Sequence, residues 1–427
     1  MDTAEVLGQT YRPRLIDPVL TDALQATGAV LIEGVRACGK TMTALNAAAS
    51  FVFVDDEASQ QLRSIAPQRL LDGPAPRLVD EWQLAPELWN MVRRRVDAST
   101  ARGLFILTGS AVPADDVTRH TGAGRVLRLR ERTMTWGEKQ PAALGAGAVS
   151  LAALFAGERP ASSPESPMTL DDVLLLLLKS GFPGMVADNL AASHTLMRGY
   201  LDEVARLDLP RLINLRHSPA VIGRLLSSVA RNVASEVSFT TLAADIRGFA
   251  PAITAETVSG YVDALERLFI IERQPAWTPG LRSRARLRVA DKWHLADPAL
   301  AAAALGATPI SLGRDLNTAG LLFESAVVHD LRVLGASLGA EVRHFRDSNG
   351  HEIDAILCLP DGRWAAVEVK LSGLQVAAGA ASLAKAVDQI DQAVAGGPAF
   401  RLVVTGTGPT LTLDDGTVTC PLVALGP

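Results

Sequence analysis

An eight-residue segment near the start of the chain restricts the possible folds more than any other feature. It has the spacing G-x-x-x-x-G-K-[ST] and consists of Gly34, Val35, Arg36, Ala37, Cys38, Gly39, Lys40 and Thr41. An apolar run, Ala29 to Ile32, precedes it, and a helix-forming stretch, Met42 to Ala49, follows it. This order predicts a strand, a phosphate-binding loop and a helix, because two glycines at this spacing let backbone N–H groups surround an anion at a helix N-terminus.

A short acidic strand later in the chain supports this interpretation. In the loop, Lys40 would reach the β- and γ-phosphates of a nucleotide, and Thr41 would bind Mg²⁺. The alternative, a glycine turn beside an ordinary surface lysine, predicts no acidic partner strand. The run Arg77-Leu78-Val79-Asp80-Glu81 is such a strand. Asp80 would help to hold Mg²⁺ and Glu81 would polarise the attacking water, although a solvated acidic pair at a strand end remains the alternative.

A third apolar strand, Leu104 to Leu107, ends in Thr108, Gly109 and Ser110. The polar side chains of Thr108 and Ser110 could contact the γ-phosphate, or these residues could simply begin a turn. Strands that alternate with helices predict a parallel sheet, at whose carboxyl edge the loop, Asp80, Glu81 and Ser110 would meet. The sequence therefore predicts an α/β domain with a P-loop NTPase sheet over residues 1–145.

With these motifs, the region resembles the AAA+-type P-loop ATPases. The resemblance implies ATP and Mg²⁺ as cofactors and ATP hydrolysis as the activity, with Lys40 and Glu81 as catalytic residues. It also implies a role for Arg125, in Thr-Gly-Ala-Gly-Arg, which is similar to the arginine that such enzymes direct at a γ-phosphate, often across a subunit contact. An ordinary loop arginine is the alternative. If Arg125 acts across a subunit contact, the protein would form a homo-oligomer through this domain.

Length and composition predict several globular domains in a reducing compartment. The 427 residues suffice for about three domains. A net charge of −5 excludes a generally basic surface, so nucleic acid could bind only at local patches. Three widely spaced cysteines, Cys38, Cys358 and Cys420, form no disulfide or zinc pattern. The longest aliphatic run, Val173 to Leu178, is too short to span a membrane. We therefore expect a cytoplasmic protein without a membrane partner.

The middle of the chain predicts a linker, a helical region and a winged helix-turn-helix. The linker covers residues 146–167, where proline, glycine and serine are frequent, and helices fill residues 168–235. Residues 236–305 then predict two helices followed by a strand, the order of a winged helix-turn-helix. The second of these helices has few basic residues on its exposed side. Four arginines spaced by two, Arg282, Arg284, Arg286 and Arg288, could instead follow a phosphate backbone or form a charged edge strand.

The segment from Gly181 to Leu300 resembles the corresponding region of a broad group of bacterial and archaeal ATPases that carry a C-terminal domain of unknown function. The similarity is carried by Gly181-Phe182-Pro183, Tyr200 to Val204, Tyr261 to Glu266 and Lys292-Trp293-His294-Leu295-Ala296-Asp297. Together with the phosphate loop, it covers most of the chain. It implies a winged-helix connector between two functional domains.

The last 118 residues, 310–427, contain a second group of charged residues. An alternating strand, Glu352 to Leu357, and a returning strand, Trp364 to Lys370, flank the turn Pro360-Asp361-Gly362. Asp354 and Glu368 would face each other across this hairpin, and Lys370 would lie on the same side as Glu368. Glu324, on a predicted helix over Leu321 to Leu334, could add a third carboxylate.

This hairpin resembles the PD-(D/E)xK nuclease fold. The resemblance implies a nuclease-like α/β domain in which Glu324, Asp354 and Glu368 bind Mg²⁺ or Mn²⁺ and Asp354, Glu368 and Lys370 act in phosphodiester cleavage. It implies nucleic acid as partner, DNA more than RNA. The same residues could equally form ion pairs in a scaffold that binds without cutting. The alternative function is then a non-cleaving, ATP-dependent regulatory switch of a toxin–antitoxin or defence system that binds DNA or a protein partner.

Overall fold

The computed structural model describes residues 3–111, 122–140, 148–163, 168–280 and 290–427, which form two compact units. The first unit contains the chain up to Thr133 and two short segments, Phe182–Gly184 and Ala264–Ile270. The second unit contains the remainder. The four arginines predicted to line a strand, Arg282, Arg284, Arg286 and Arg288, lie outside the described residues.

The first unit is a five-stranded parallel sheet with helices on both faces. Its elements are α1 (Thr3–Leu7), α2 (Ile16–Ala26), β1 (Ala29–Glu33), α3 (Lys40–Ala47), β2 (Ser50–Phe53), α4 (Glu57–Ile65), β3 (Arg77–Asp80), α5 (Glu87–Asp97), β4 (Phe105–Gly109) and β5 (Val126–Arg130). The strand order is β2-β3-β4-β1-β5, and every pairing is parallel. The parallel sheet predicted from the sequence is therefore present, with β4 inserted between β1 and β3.

Strand β1 is apolar along its length because both of its faces are covered. Val30 and Ile32 pack with α2 and α3 on one face, and Ala29 and Leu31 pack on the other face against the cluster that includes Leu88 of α5. Burial on both faces is what a parallel strand with helices on either side requires. The uninterrupted apolar run that precedes the glycine loop is thus explained by packing.

The second unit begins with small elements. The first, α6 (Trp136–Lys139), precedes the stretch predicted to be a linker, whereas β6 (Val149–Ser150) and α7 (Leu151–Phe155) lie inside it. Leu151, Leu154 and Phe155 are buried, and β6 pairs with a strand from the end of the chain, β15 (Leu425–Gly426). The part of the predicted linker described here is therefore packed, because its few apolar side chains are enough to anchor it.

Helices dominate the next part of the second unit. They are α8 (Leu170–Leu178), α9 (Leu190–Glu203), α10 (Leu209–Leu212), α11 (Pro219–Arg231), α12 (Phe239–Ile246) and α13 (Ala255–Arg267), of which the end of α13 belongs to the first unit. The start of α8 has a capping box between Thr169 and Asp172, which satisfies backbone N–H groups at that end. An antiparallel pair, β7 (Ile271–Gln274) and β8 (Lys292–Leu295), follows α13. Helices and strands occur in the predicted order, and the winged-helix assignment stays a prediction.

The end of the second unit is a six-stranded mixed sheet covered by helices. Its elements are α14 (Pro298–Leu305), α15 (Pro309–Arg314), α16 (Leu316–Leu334), β9 (Glu341–Arg346), β10 (Glu352–Cys358), β11 (Trp364–Lys370), α17 (Val376–Asp388), α18 (Gln392–Ala395), β12 (Arg401–Thr405), β13 (Leu411–Thr412) and β14 (Val418–Pro421). The strand order is β13-β14-β12-β11-β10-β9. Strands β10 and β11 form the predicted antiparallel hairpin, with Ala355 opposite Val367.

Among the described helices, none is both long and apolar enough to cross a lipid bilayer.

Candidate functional site

The glycine-rich loop connects β1 to α3 and is held tightly at both of its glycines. A Cβ atom on Gly34 would lie 2.1 Å from the carbonyl oxygen of Glu131, a distance that no side chain could tolerate. Gly39 has a φ of 121°, and Ala37 also has a positive φ of 64°. Arg36 and Ala37 form the exposed tip of the loop. The motif spacing is therefore required by close packing as well as by the backbone conformation.

Lys40 is folded back onto its own loop. Its Nζ donates hydrogen bonds to the carbonyl oxygens of Gly34, at 3.0 Å, and Val35, at 2.9 Å, and the residue is only 4% exposed. Burial raises the pKa of the neighbouring Cys38 thiol, which therefore stays neutral. The loop thus keeps one buried positive charge beside the helix N-terminus, as an anion site requires.

Asp80, the second predicted magnesium ligand, lies directly beside Thr41. Oγ1 of Thr41 donates to Oδ1 of Asp80 at 2.9 Å, and Oγ1 of Thr108 donates to the same oxygen at 2.6 Å. Burial raises the pKa of Asp80 to about 6, although both hydroxyl hydrogen bonds oppose this rise. A hydroxyl and a carboxylate are oxygen ligands of the kind that Mg²⁺ prefers. The arrangement therefore fits this cation.

Glu81 and Ser110 meet at the same edge of the sheet. Glu81 has a positive φ of 53°, and its backbone N–H donates to Oγ1 of Thr108 at 3.0 Å. Its carboxylate accepts a hydrogen bond from Oγ of Ser110 at 3.0 Å and another from the amide of Gln83. Gln83 was not assigned to the site from the sequence. Thr108 was considered only as a polar side chain at its strand end, and its contact with Asp80 was not predicted.

Arg125 does not join the loop of its own chain. Its carbonyl oxygen accepts hydrogen bonds from the N–H of Ala29 and from Oγ1 of Thr27, so it lies at the amino end of β1. The loop follows the carboxyl end of this five-residue strand, about 15 Å away at roughly 3.3 Å per residue. The guanidinium of Arg125 instead pairs with the carboxylate of Asp97, with Nε 2.7 Å from Oδ1. A direct contact with a γ-phosphate in the same chain is therefore excluded, and a contact with a neighbouring chain stays a prediction.

A buried ion pair between Arg14 and Glu131 contacts the loop and the helix that follows it. Nη1 of Arg14 donates to Oε1 of Glu131 at 3.1 Å and to the carbonyl oxygen of Cys38 at 2.9 Å. Oε1 of Glu131 also accepts from Oγ1 of Thr43 on α3 at 3.0 Å. The side chains of Arg14 and Glu131 are 4% and 0% exposed. Sequence reasoning missed both residues, since they lie on either side of the motif at a distance along the chain.

The charged residues predicted in the C-terminal region also converge, and we call Glu324, Asp354 and Glu368 the carboxylate cluster. Nζ of Lys370 lies 2.7 Å from Oε1 of Glu368, as expected for side chains on one side of β11. Glu324 on α16, Asp354 on β10 and Lys370 line a cavity of about 420 Å³. The predicted hairpin and α16 thus bring these residues to one site.

Two lysines neutralise part of this negative charge. Besides Lys370, Lys292 of β8 places its Nζ 2.7 Å from Oε1 of Glu324 and 3.9 Å from Oδ1 of Asp354. Burial, with the charge of Asp354 next in importance, raises the pKa of Glu324 to about 8 and that of Glu368 to about 7. In the sequence, Lys292 was part of a family resemblance and was not predicted to belong to this site. The one signal in the sequence that could have pointed to this residue was a lysine at the start of a mostly apolar strand.

The carboxylate cluster does not form a metal site as it stands. Within the described ranges, no three side chains of His, Cys, Asp or Glu are grouped so that they could hold a metal ion. The predicted metal ligands Glu324, Asp354 and Glu368 are instead paired with ammonium groups. The donor atoms have the right chemistry, but the position that a metal would need between Glu324 and Asp354 is next to Lys292.

Comparisons with known proteins agree with the geometry of the first site. Residues 26–139 match a family model described as an AAA domain. The match supports a P-loop ATPase fold for these residues. This supports ATP binding and hydrolysis by the chain. Residues 170–311 and 319–425 match two models described as domains of unknown function, DUF8612 and DUF4143.

A solved structure, the Walker-type ATPase PABY2304 of Pyrococcus abyssi, is similar to this chain with 14% sequence identity and a TM-score of 0.40. The similarity covers 67% of this chain and 94% of that one. No curated protein matches the sequence significantly.

Proposed function

We propose that the chain is a Mg²⁺-dependent ATPase whose nucleotide state controls a nuclease-like C-terminal domain that acts on nucleic acid. The observation that carries the first part is the 2.9 Å hydrogen bond between Thr41 and Asp80 beside the glycine loop. These two residues would hold Mg²⁺, which supplies a positive charge to the phosphates. A separated Thr41 and Asp80, without this contact, would have argued against a nucleotide site.

In this proposal the residues of the loop and of the neighbouring strand ends have distinct roles. The loop N–H groups bind the phosphates, and Lys40 exchanges its carbonyl partners, Gly34 and Val35, for phosphate oxygens. Glu81 orients the attacking water. Because its carboxylate is bound by Ser110 and Gln83, Glu81 must first exchange at least one of these partners. Ser110 is therefore placed to link phosphate contact to the position of Glu81.

For the C-terminal domain we propose a nuclease-like site that acts on DNA in preference to RNA. A winged-helix connector would link this domain to the ATPase domain. The support is the cavity lined by Glu324, Asp354 and Lys370, together with the hairpin that presents Asp354 and Lys370. The members of the carboxylate cluster are paired with lysines, so cleavage requires that at least one of these ion pairs opens to admit a metal ion.

The pairing with Lys292 favours a second candidate function. In this alternative the C-terminal domain cuts nothing, and the chain is an ATP-dependent switch of a toxin–antitoxin or defence system that binds DNA or a protein. The net charge of −5 agrees with a protein partner. In either case we propose a cytoplasmic protein, and a homo-oligomer in which Arg125 reaches the nucleotide of a neighbouring chain.

Two assays test the proposal. Calorimetry with ATP and Mg²⁺ should detect binding by the full chain and none by the Lys40→Ala variant; absence of binding by well-folded wild type would refute the ATPase. Incubation with plasmid DNA and RNA in Mg²⁺ or Mn²⁺, with and without ATP, then decides between the two functions. Products that vanish in the Asp354→Ala variant support cleavage, and products that persist there indicate contamination. No cleavage under any condition favours the switch.

A further inference from the structure

Lys292 is placed among the carboxylates by the backbone of its strand. It pairs with Gln274 in the antiparallel β7–β8 register. His294, two residues further along β8 and on the same side, contacts Oγ of Ser325 on α16 at 3.0 Å and Oε1 of Gln274 at 3.0 Å. Lys292 contacts Glu324, the residue before Ser325. Two successive contacts thus fix β8 on α16, so the ammonium position follows from the fold.

The second carboxylate is oriented toward the same ammonium. Oδ2 of Asp354 accepts a hydrogen bond from the backbone N–H of Val369 at 2.8 Å. This bond leaves Oδ1 as the oxygen directed at Lys292, at 3.9 Å. The side chain of Lys292 is only 8% exposed, and those of Glu324 and Asp354 are 13% and 16% exposed. A buried cation between two carboxylates compensates charges that would otherwise be costly to bury.

We propose that Lys292 is the resident cation of the carboxylate cluster, where its ammonium takes the position between Glu324 and Asp354 that a divalent metal would need and so keeps metal out. This inference rests on the proposed nuclease-like character of the site. Lys292 and Lys370 bring the three carboxylates to a net charge of −1 when all are ionised. Without the charge of Lys292 the net charge is −2, and the repulsion of a second cation at contact distance disappears.

The position of Lys292 also determines when the site could cleave. Glu324 and Asp354 line the cavity, whereas Lys292 is absent from its lining and approaches the two carboxylates from within the protein. A metal ion could therefore arrive through the cavity without moving β8. Only the ammonium would have to leave. Cleavage in Mg²⁺ or Mn²⁺ would then be weak in the folded chain until a partner or a nucleotide-dependent change moves the Lys292 side chain.

Mn²⁺ binding to the full-length chain tests this directly, with free Mn²⁺ followed by its electron paramagnetic resonance signal. Lys292→Gln removes the charge but keeps a hydrogen-bond donor for Glu324. We expect the dissociation constant for Mn²⁺ to fall at least roughly tenfold in this variant, because one positive charge at contact distance is removed. The gain should vanish in the double variant Lys292→Gln/Asp354→Asn. Lys385→Gln, an exposed lysine on α17, is the matched control and should leave binding unchanged.

Three results would overturn the inference in different ways. Equal Asp354-dependent binding in wild type and Lys292→Gln would leave the nuclease-like metal site standing but remove Lys292 as its competitor. Weaker binding in Lys292→Gln would make the lysine a supporting residue. No Asp354-dependent binding in either protein would remove both the inference and the proposed metal site. Circular dichroism checks folding, and Lys292→Met, which fills the same buried space, replaces the glutamine variant if that one unfolds.

Discussion

Replacing Arg14 by methionine should loosen the loop by leaving a buried carboxylate without its main partner. Arg14 donates to Glu131, to the carbonyl oxygen of Cys38 and to that of Arg132. Because Glu131 is fully buried, its charge cannot be solvated after the substitution. Breaking a buried pair by removing one member costs about 3–5 kcal/mol, and we expect the free energy of unfolding of the first unit to fall by this amount.

The chain contains a matched pair for comparison. Arg128 lies 2.8 Å from Glu33 in the same unit, but its side chain is 50% exposed. Arg128→Met should therefore cost only about 0–1 kcal/mol, as for other solvent-exposed ion pairs. The two variants remove the same chemical group next to the same kind of partner. They differ in burial and in the two backbone carbonyl oxygens that Arg14 also binds, so the comparison measures these two contributions together.

Hydrogen exchange followed by mass spectrometry measures the effect where it arises. Exchange of amides in β1 and β4 reports the opening of the first unit without assuming that the whole chain unfolds in one step. Adding Glu131→Gln to Arg14→Met should recover part of the loss, because the uncompensated charge is then absent. Equal protection in Arg14→Met and Arg128→Met would refute the reasoning, as would a double variant whose losses simply add.

Three further predictions concern the same unit. Asp80→Asn should raise the nucleotide-free unfolding free energy at pH 7.5 by up to about 3 kcal/mol, since burial raises the pKa of Asp80 to about 6 from an ordinary 3.8. Between these two pKa values the folded wild type binds a proton that the unfolded chain does not. The gain should therefore be full above pH 6 and fade toward pH 4, as measured by urea titrations. Calorimetry should find weaker Mg²⁺-ATP binding by the variant. Gly34→Ala should abolish ATP binding in calorimetry because its Cβ would meet the Glu131 carbonyl; Gly199→Ala, in open space on α9, should bind normally. Arg125→Ala should leave ATP hydrolysis of a monomer unchanged and lower it only in an assembled form, as judged by activity across sizing-column fractions.

The local elements of the ATPase domain could be predicted from the sequence because their signals are short-range. Spacing between Gly34 and Lys40 specified the loop, and the apolar runs before the loop and before Asp80 specified two strands. Parallel strands place their carboxyl ends together whatever the details of the sheet, so the meeting of Thr41 with Asp80 followed as well. The hairpin with Asp354 and Lys370 was predictable for a similar reason, since side chains alternate along a strand.

Only the tertiary structure decided which distant residues complete each site. Arg14 and Glu131 lie on opposite sides of the loop in sequence, and Lys292 reaches Glu324 from another strand pair. Arg125 was predicted to contact a phosphate because it follows the third predicted strand. The parallel register instead places it at the amino end of β1, away from the loop. Long-range ion pairs depend on the three-dimensional meeting of elements, and neither periodicity nor motif spacing carries that information. The sequence therefore determined the loop and the strands, and packing decided which charges those elements bring together.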